Sequence, residues 1–155
     1  MEIEDQIKLR FHGVDIIKVD FTSFQPIRNS NPELNIAVDA KVFYPKEIPK
    51  IFNIWMDVHI LAKEYFNISL IALGTFELNA DPSDDPSLKK RFININAPAI
   101  MFPYIRSFVT TFTASLGNIT GAVIIPTKFF KGDLEEIIVE NPSEPVDTTL
   151  LTNQP

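Results

Sequence analysis

Asp57 and His59 stand two residues apart in the run Trp-Met-Asp-Val-His, a spacing that puts both side chains on one face of a β-strand. A carboxylate beside an imidazole could share a proton in acid–base work or offer two ligands to a metal ion. A metal site needs three or four ligands. The only other histidine, His12, lies far back in the chain, and spacing marks no third ligand. The pair therefore reads as the polar outer face of a sheet. Asp81, Asp84 and Asp85 could gather oxygen ligands for calcium, but the spaced glycine and glutamate of a calcium loop are missing, and a solvated turn is the better reading. Ser69, Ser107 and Ser115 have no nucleophile-elbow context. Neither Gly-x-x-x-x-Gly-Lys nor Gly-x-Gly-x-x-Gly occurs, so no nucleotide cofactor is signalled. The chain has no cysteine, which excludes thiolate catalysis, disulfides and cysteine-ligated metals.

With so little for catalysis to use, the bulk properties set the frame. A chain of 155 residues suits one domain with a real core. Its 45% hydrophobic content, including 13 Phe, marks a folded chain. The net charge is −6 and no Lys/Arg cluster occurs, so nucleic acid is not an expected partner. The acidic Met1–Gln6 stretch has no apolar run behind it and does not read as a signal peptide. No apolar segment nears the roughly eighteen residues of a membrane span. A cytoplasmic protein without membrane insertion is expected.

The front of the chain alternates with period two. Ile7, Leu9 and Phe11 face Lys8, Arg10 and His12; after Gly13, which suggests a bulge, the pattern resumes with Ile17, Val19 and Phe21. Pro26–Pro32 is turn chemistry. A second strand comes at Leu34–Phe43 and a third around Phe52–Ile60; a fourth runs Phe66–Leu78, with Gly74 as another candidate bulge. Short breaks between consecutive strands favour antiparallel pairing. Asn79–Lys90 reads as a crossover loop, and Arg91–Asn96 as an alternating approach to a helix.

The helix shows in its periodicity. Ile100, Met101, Tyr104, Ile105, Phe108, Val109, Phe112 and Leu116 recur at steps of one, three or four. Gly117-Asn118 supplies a stop, and Asn96-Ala97-Pro98 looks like a start. Pro103 leaves two options: a helix starting at Pro103, or one starting at Pro98 and kinked. Beyond it, Ala122–Pro126 is extended and Asp133–Glu140 is weakly amphipathic. The expected organisation is one domain over 1–140, with a disordered tail over 141–155. Thirteen Phe and Trp55 are many for one sheet under one helix, so some should remain on a groove or a subunit interface.

Pro98 followed by Phe102-Pro103-Tyr104 and Arg106 resembles the helix-opening motif of the SecB preprotein chaperone family. Gly74-Thr75-Phe76 is similar to that family's Gly-x-Phe near the end of the fourth strand. Ile124-Ile125-Pro126-Thr127-Lys128-Phe129 is similar to its Leu-x-Pro-x-Asn-Phe segment after the helix, with Lys128 in place of Asn. The resemblance spans Ile7 to Phe130.

The resemblance implies an α+β fold: a four-stranded antiparallel sheet, a crossover loop and one long helix packed on the sheet. It implies a non-enzymatic, ATP-independent holdase with no cofactor, binding unfolded polypeptides in apolar grooves and keeping them competent for export. Pairing through first strands would give a dimer, and stacking through helices a tetramer. Carried over, the groove draws on Phe76, Phe92, Ile95, Ile100, Met101 and Phe102. Pro98, Phe102, Pro103, Tyr104 and Arg106 serve the helix opening and its packing. Asp15 matches one acid that the family presents to the SecA motor, while the other acidic positions fall at Val19 and Ser69. Two alternatives stand beside general client holding. One is a chaperone dedicated to a single partner such as an antitoxin. The other is a hot-dog arrangement, with a sheet wrapped round a helix to hold a small apolar ligand.

Overall fold

The structure, a computed structural model, describes residues 7–26, 32–80, 85–126 and 135–137. Strands β1 (Leu9–Ser23), β2 (Leu34–Phe43), β3 (Ile51–Ala62), β4 (Phe66–Leu78) and β5 (Glu135–Ile137) form one sheet in the order β1-β4-β3-β2-β5. The first four pair antiparallel, as the short breaks predict. A single α-turn (Pro86–Leu88), a π-helical stretch (Lys89–Asn96) and the α-helix α1 (Ala97–Ala114) run on without interruption. The expected α+β fold, a four-stranded antiparallel sheet followed by one long helix, is present. Residues 135–137 add a short strand parallel to β2 where an amphipathic run had been expected. The Asp81–Asp84 turn, Thr127–Phe130 and the 141–155 tail lie outside the described residues.

Period two in the sequence becomes one buried sheet face. On β3, Phe52, Ile54, Met56, Val58 and Ile60 are all at most 1% exposed; on β4, Phe66, Ile68, Leu70, Ala72, Phe76 and Leu78 are at most 2% exposed. Each such large side chain contributes about 1.5–3 kcal/mol when removed from water. At one end of this face, rings run across the layer: Tyr44 on Phe52, Phe52 stacked on Phe76 at 5.3 Å, Phe76 against Phe11, and Phe11 against Tyr104 of α1. At the other end Phe21 meets Phe66 and, edge-on, Phe112. These contacts fix the direction of α1, which runs alongside β1 in the same sense.

Two irregularities in β1 decide which side chains face inward. Register shifts fall between Phe11 and Gly13 and between Ile16 and Lys18. Gly13, at φ +120°, makes the first bulge as expected, because a side chain there would be strained. The second bulge was not expected. It turns Ile17 away from the core, leaving it 50% exposed, while Val19 and Phe21 pack inward. Gly74 is not a bulge at all: β3 and β4 pair in continuous register through it. Its role is close approach, because a Cβ there would stand 2.8 Å from Met101 Sδ.

Candidate functional site

The helical arm begins at Asp85, earlier than the sequence suggested. Its carboxylate accepts bonds from the Ser87 backbone N–H at 2.8 Å and the Ser87 hydroxyl at 2.7 Å, and Pro86 occupies the first turn. These bonds hold the Asp85 carboxyl below its ordinary pKa, the Ser87 hydroxyl contributing most. Arg91–Asn96, expected to be an extended approach, is instead wound as a π-helix: the Ala97 N–H reaches back five residues to the Phe92 carbonyl. The α-helix opens at the expected Asn96-Ala97-Pro98 step, but Asn96 is itself helical and makes no side-chain cap, because the π-helix runs straight into it. Pro98 is buried in the first turn of α1. Pro103 lies inside α1 with its ring on the exposed side, where solvent can meet the backbone group it deprives of a partner.

The arm divides the expected groove residues into two groups. Phe76 and Met101 are 0% exposed and Phe102 is 8% exposed; these three are packed into the core and offer a ligand almost no surface. Ile95 is 57% exposed, and Phe92 and Ile100 are half-buried. Of the six expected groove residues, only Phe92, Ile95 and Ile100 have side chains with appreciable exposed surface. Ile93, Ala97, Met101, Ile105, Val109 and Thr113, at steps of four, form the buried row that seats the arm on the sheet. Met101 against Gly74 fills the space between α1 and β4 at that point, as a wrapped acyl pocket would not.

A second row faces the β1 side. Tyr104 (53% exposed) rests on Phe11 at 5.0 Å, Phe108 stacks on Phe112 at 5.7 Å, and Phe112 meets Phe21. It runs beside β1, whose outer edge pairs with no other described strand.

Arg106 has a role that its place in the motif did not reveal. Its Nε donates to the Ile125 carbonyl at 2.8 Å. Thr110 Oγ1 donates to the Val123 carbonyl at 2.8 Å, and Thr113 Oγ1 accepts the Val123 N–H at 2.8 Å while donating to the Val109 carbonyl. Steps of four and three put all three residues on one face of α1, where they clip the returning chain. The sequence signal for this role is Arg-x-x-x-Thr-x-x-Thr, three polar side chains at helical spacing.

The polar outer face holds the remaining candidates. His59 Nε2 lies 3.0 Å from Asp57 Oδ1, and its Nδ1 lies 2.9 Å from Ser69 Oγ. The expected shared face is real, and the pair is joined by a serine. No group of three or more potential metal ligands occurs among the described residues. Asp15 is exposed on β1 opposite Leu73, and Val19 faces the core. Among the described residues, no helix is long and apolar enough to cross a membrane.

No protein-family model matches the sequence. An uncharacterized protein of Methanocaldococcus jannaschii is 27% identical over 149 residues, covering 91% of this chain and 94% of that protein. Among solved structures, the Mycobacterium tuberculosis Rv1957 SecB-like chaperone, in complex with a ChAD peptide from the Rv1956 HigA1 antitoxin, superposes with a TM-score of 0.61 at 10% identity. The match covers 78% of this chain and 88% of that one. The chain has a SecB-like fold. A protein of unknown function from Streptococcus agalactiae also aligns, with a TM-score of 0.50 at 13% identity over 78% of this chain and 98% of that one. At such identities the likeness is one of fold, which extends the resemblance of the Phe-Pro-Tyr-x-Arg motif to the arrangement of sheet and helix.

Proposed function

We propose that this SecB-like protein is an ATP-independent chaperone, a cytoplasmic holdase that binds unfolded or partly folded polypeptides and lets them go unaltered. One observation carries the reading: the arm that opens the helix presents Ile95 at 57% exposure between half-buried Phe92 and Ile100. Unfolded chains expose apolar side chains that such a patch can hold without sequence specificity. Exposed apolar surface beside the open edge of β1 also suits a second copy, giving a dimer through β1 and a tetramer if helices then stack. Delivery to SecA for export is the finer form of the proposal. Only Asp15 supports it, since Ser69 is engaged with His59 and Val19 faces inward.

A second reading, a chaperone dedicated to one partner, is favoured by the neighbour solved with an antitoxin peptide. The deciding measurement is binding to a slow-folding protein offered native and chemically unfolded, with oligomer mass read by light scattering. Capture of the unfolded form alone, by a dimer or tetramer, supports general holding. Failure to capture either form would end that reading and leave the dedicated partner to be sought among neighbouring genes.

A further inference from the structure

The chain that returns from α1 is held by side chains of that helix. Val123 and Ile125 are 6% and 1% exposed, while Ile124 between them is 70% exposed, the alternation of an extended chain. Yet this segment pairs with no described strand. Side chains of α1 hold it instead, and they bind only its backbone: Arg106 and Thr110 donate to the carbonyls of residues 125 and 123, and Thr113 takes the N–H of 123. The helix face thus offers backbone hydrogen bonds at alternate residues, 123 and 125, and the side chain of each has a buried apolar seat. Any extended segment with apolar residues two apart could satisfy both.

We propose that residues 122–126 are a displaceable strap, seated in the groove where an extended, apolar polypeptide segment binds, while the Thr120 hydroxyl stays bonded to the Thr113 carbonyl at 3.0 Å. This deepens the holdase reading and rests on it. The client contributes its own carbonyls and N–H to Arg106, Thr110 and Thr113, and its own apolar side chains to the seats of Val123 and Ile125. The exchange swaps like contacts for like, so only a small difference in affinity separates the two occupants. A cleft of about 320 Å³ opens along the seam between α1 and the strap, with Ser107 and Ile124 among its walls, and gives a client segment a place to begin. Gly117 and Gly121, both at positive φ, carry the sharp reversal that leads into the strap, and Gly121 is the natural point for it to swing from. The patch at Phe92, Ile95 and Ile100 then acts as a first contact, and the strap's groove as the site of firm holding.

The absence of native cysteine makes a direct test possible. Ser107→Cys and Ile124→Cys introduce thiols at two exposed positions across the seam, to be bridged by a short, reducible bismaleimide. The unbridged double variant is the reference, its own binding to an unfolded test protein being measured before the bridge is made. Bridging should weaken binding at least tenfold, and reduction should restore it. Undiminished binding by the bridged protein overturns the strap proposal while leaving the holdase reading intact. If the wild type itself captures no unfolded protein, the holdase reading falls and the strap proposal falls with it. Amide exchange gives a second readout: client should speed exchange at Val123, whose N–H is released from Thr113, and unchanged protection there also overturns the proposal.

Discussion

Met101 occupies the space that Gly74 leaves open. A Cβ at position 74 would stand 2.8 Å from Met101 Sδ and 2.9 Å from Phe76 Cε2, closer than van der Waals contact allows. Helix and sheet meet here with no gap, and the Phe76 ring cannot retreat because Phe52 and Phe11 pack against it. Gly74→Ala should therefore destabilise the fold by about 1–3 kcal/mol, as overpacking does. In a chain of this length each kcal/mol lowers the midpoint by roughly 2–4 °C, readable in a thermal melt. An unchanged or raised Tm would show that α1 can lift from β4 at no cost.

The clip on the returning chain gives a second prediction. Thr113 is 0% exposed, and its hydroxyl takes the N–H of Val123, itself buried. Thr113→Val keeps the shape and leaves that N–H without a partner, which should cost about 1–3 kcal/mol. Thr113→Ser keeps the hydroxyl and should cost less. Urea midpoints of the two variants check the order; a loss in the Ser variant as large as in the Val variant would mean that the methyl group matters as much as the bond.

Strands were legible where one face is buried and the other solvated. The sequence marked Leu34–Phe43 and Phe66–Leu78 at the bounds the structure has, because burial alternates there without interruption. Legibility failed where backbone geometry departs from a single period. Ile17 was assigned inward because a bulge without glycine leaves no mark in composition. Phe92, Ile93 and Ile95 read as extended because a π-helix, bonded five residues apart, is wound more widely than an α-helix and matches neither template. Ile93 and Ala97 belong to the same four-step row as Met101 and Ile105, but Pro98 beside them looked like a boundary. Among the candidate groove residues, sequence could not separate exposed Ile95 from buried Met101, since apolar type alone does not tell which way a side chain points.

Acid should loosen the start of the arm before the core. The Asp85 carboxyl has its pKa lowered, first by the Ser87 hydroxyl and then by the backbone N–H of Ser87. A pKa depressed in the folded state contributes stability above the unfolded-state value, about 3.9 for aspartate, and loses it as pH falls through the folded value. The Ser87 amide resonance should accordingly titrate below about pH 4, and Asp85→Asn should abolish that titration. A Ser87 amide that titrates unchanged in the variant would assign the transition to another group.

The contrast between exposed and buried members of the expected groove separates binding from folding. Ile95 is 57% exposed and Phe92 is only partly buried against the core, so replacing both with Ser removes more exposed apolar surface than core packing. Stability should fall by less than the roughly 3–5 kcal/mol that truncating a fully buried phenylalanine costs, because Phe92 is only half-buried and Ile95 is exposed. Affinity for an unfolded protein should fall about tenfold, equivalent to 1.4 kcal/mol. Met101→Ala is the opposite case. Met101 is 0% exposed, and its truncation should cost about 2–5 kcal/mol in stability, with client binding preserved below the new melting temperature. The two variants must therefore move different readouts, a binding isotherm for one and an unfolding midpoint for the other. If Phe92→Ser with Ile95→Ser unfolds the chain instead, the π-helical arm is core in the assembled protein. The client surface would then lie wholly in the groove beneath the strap.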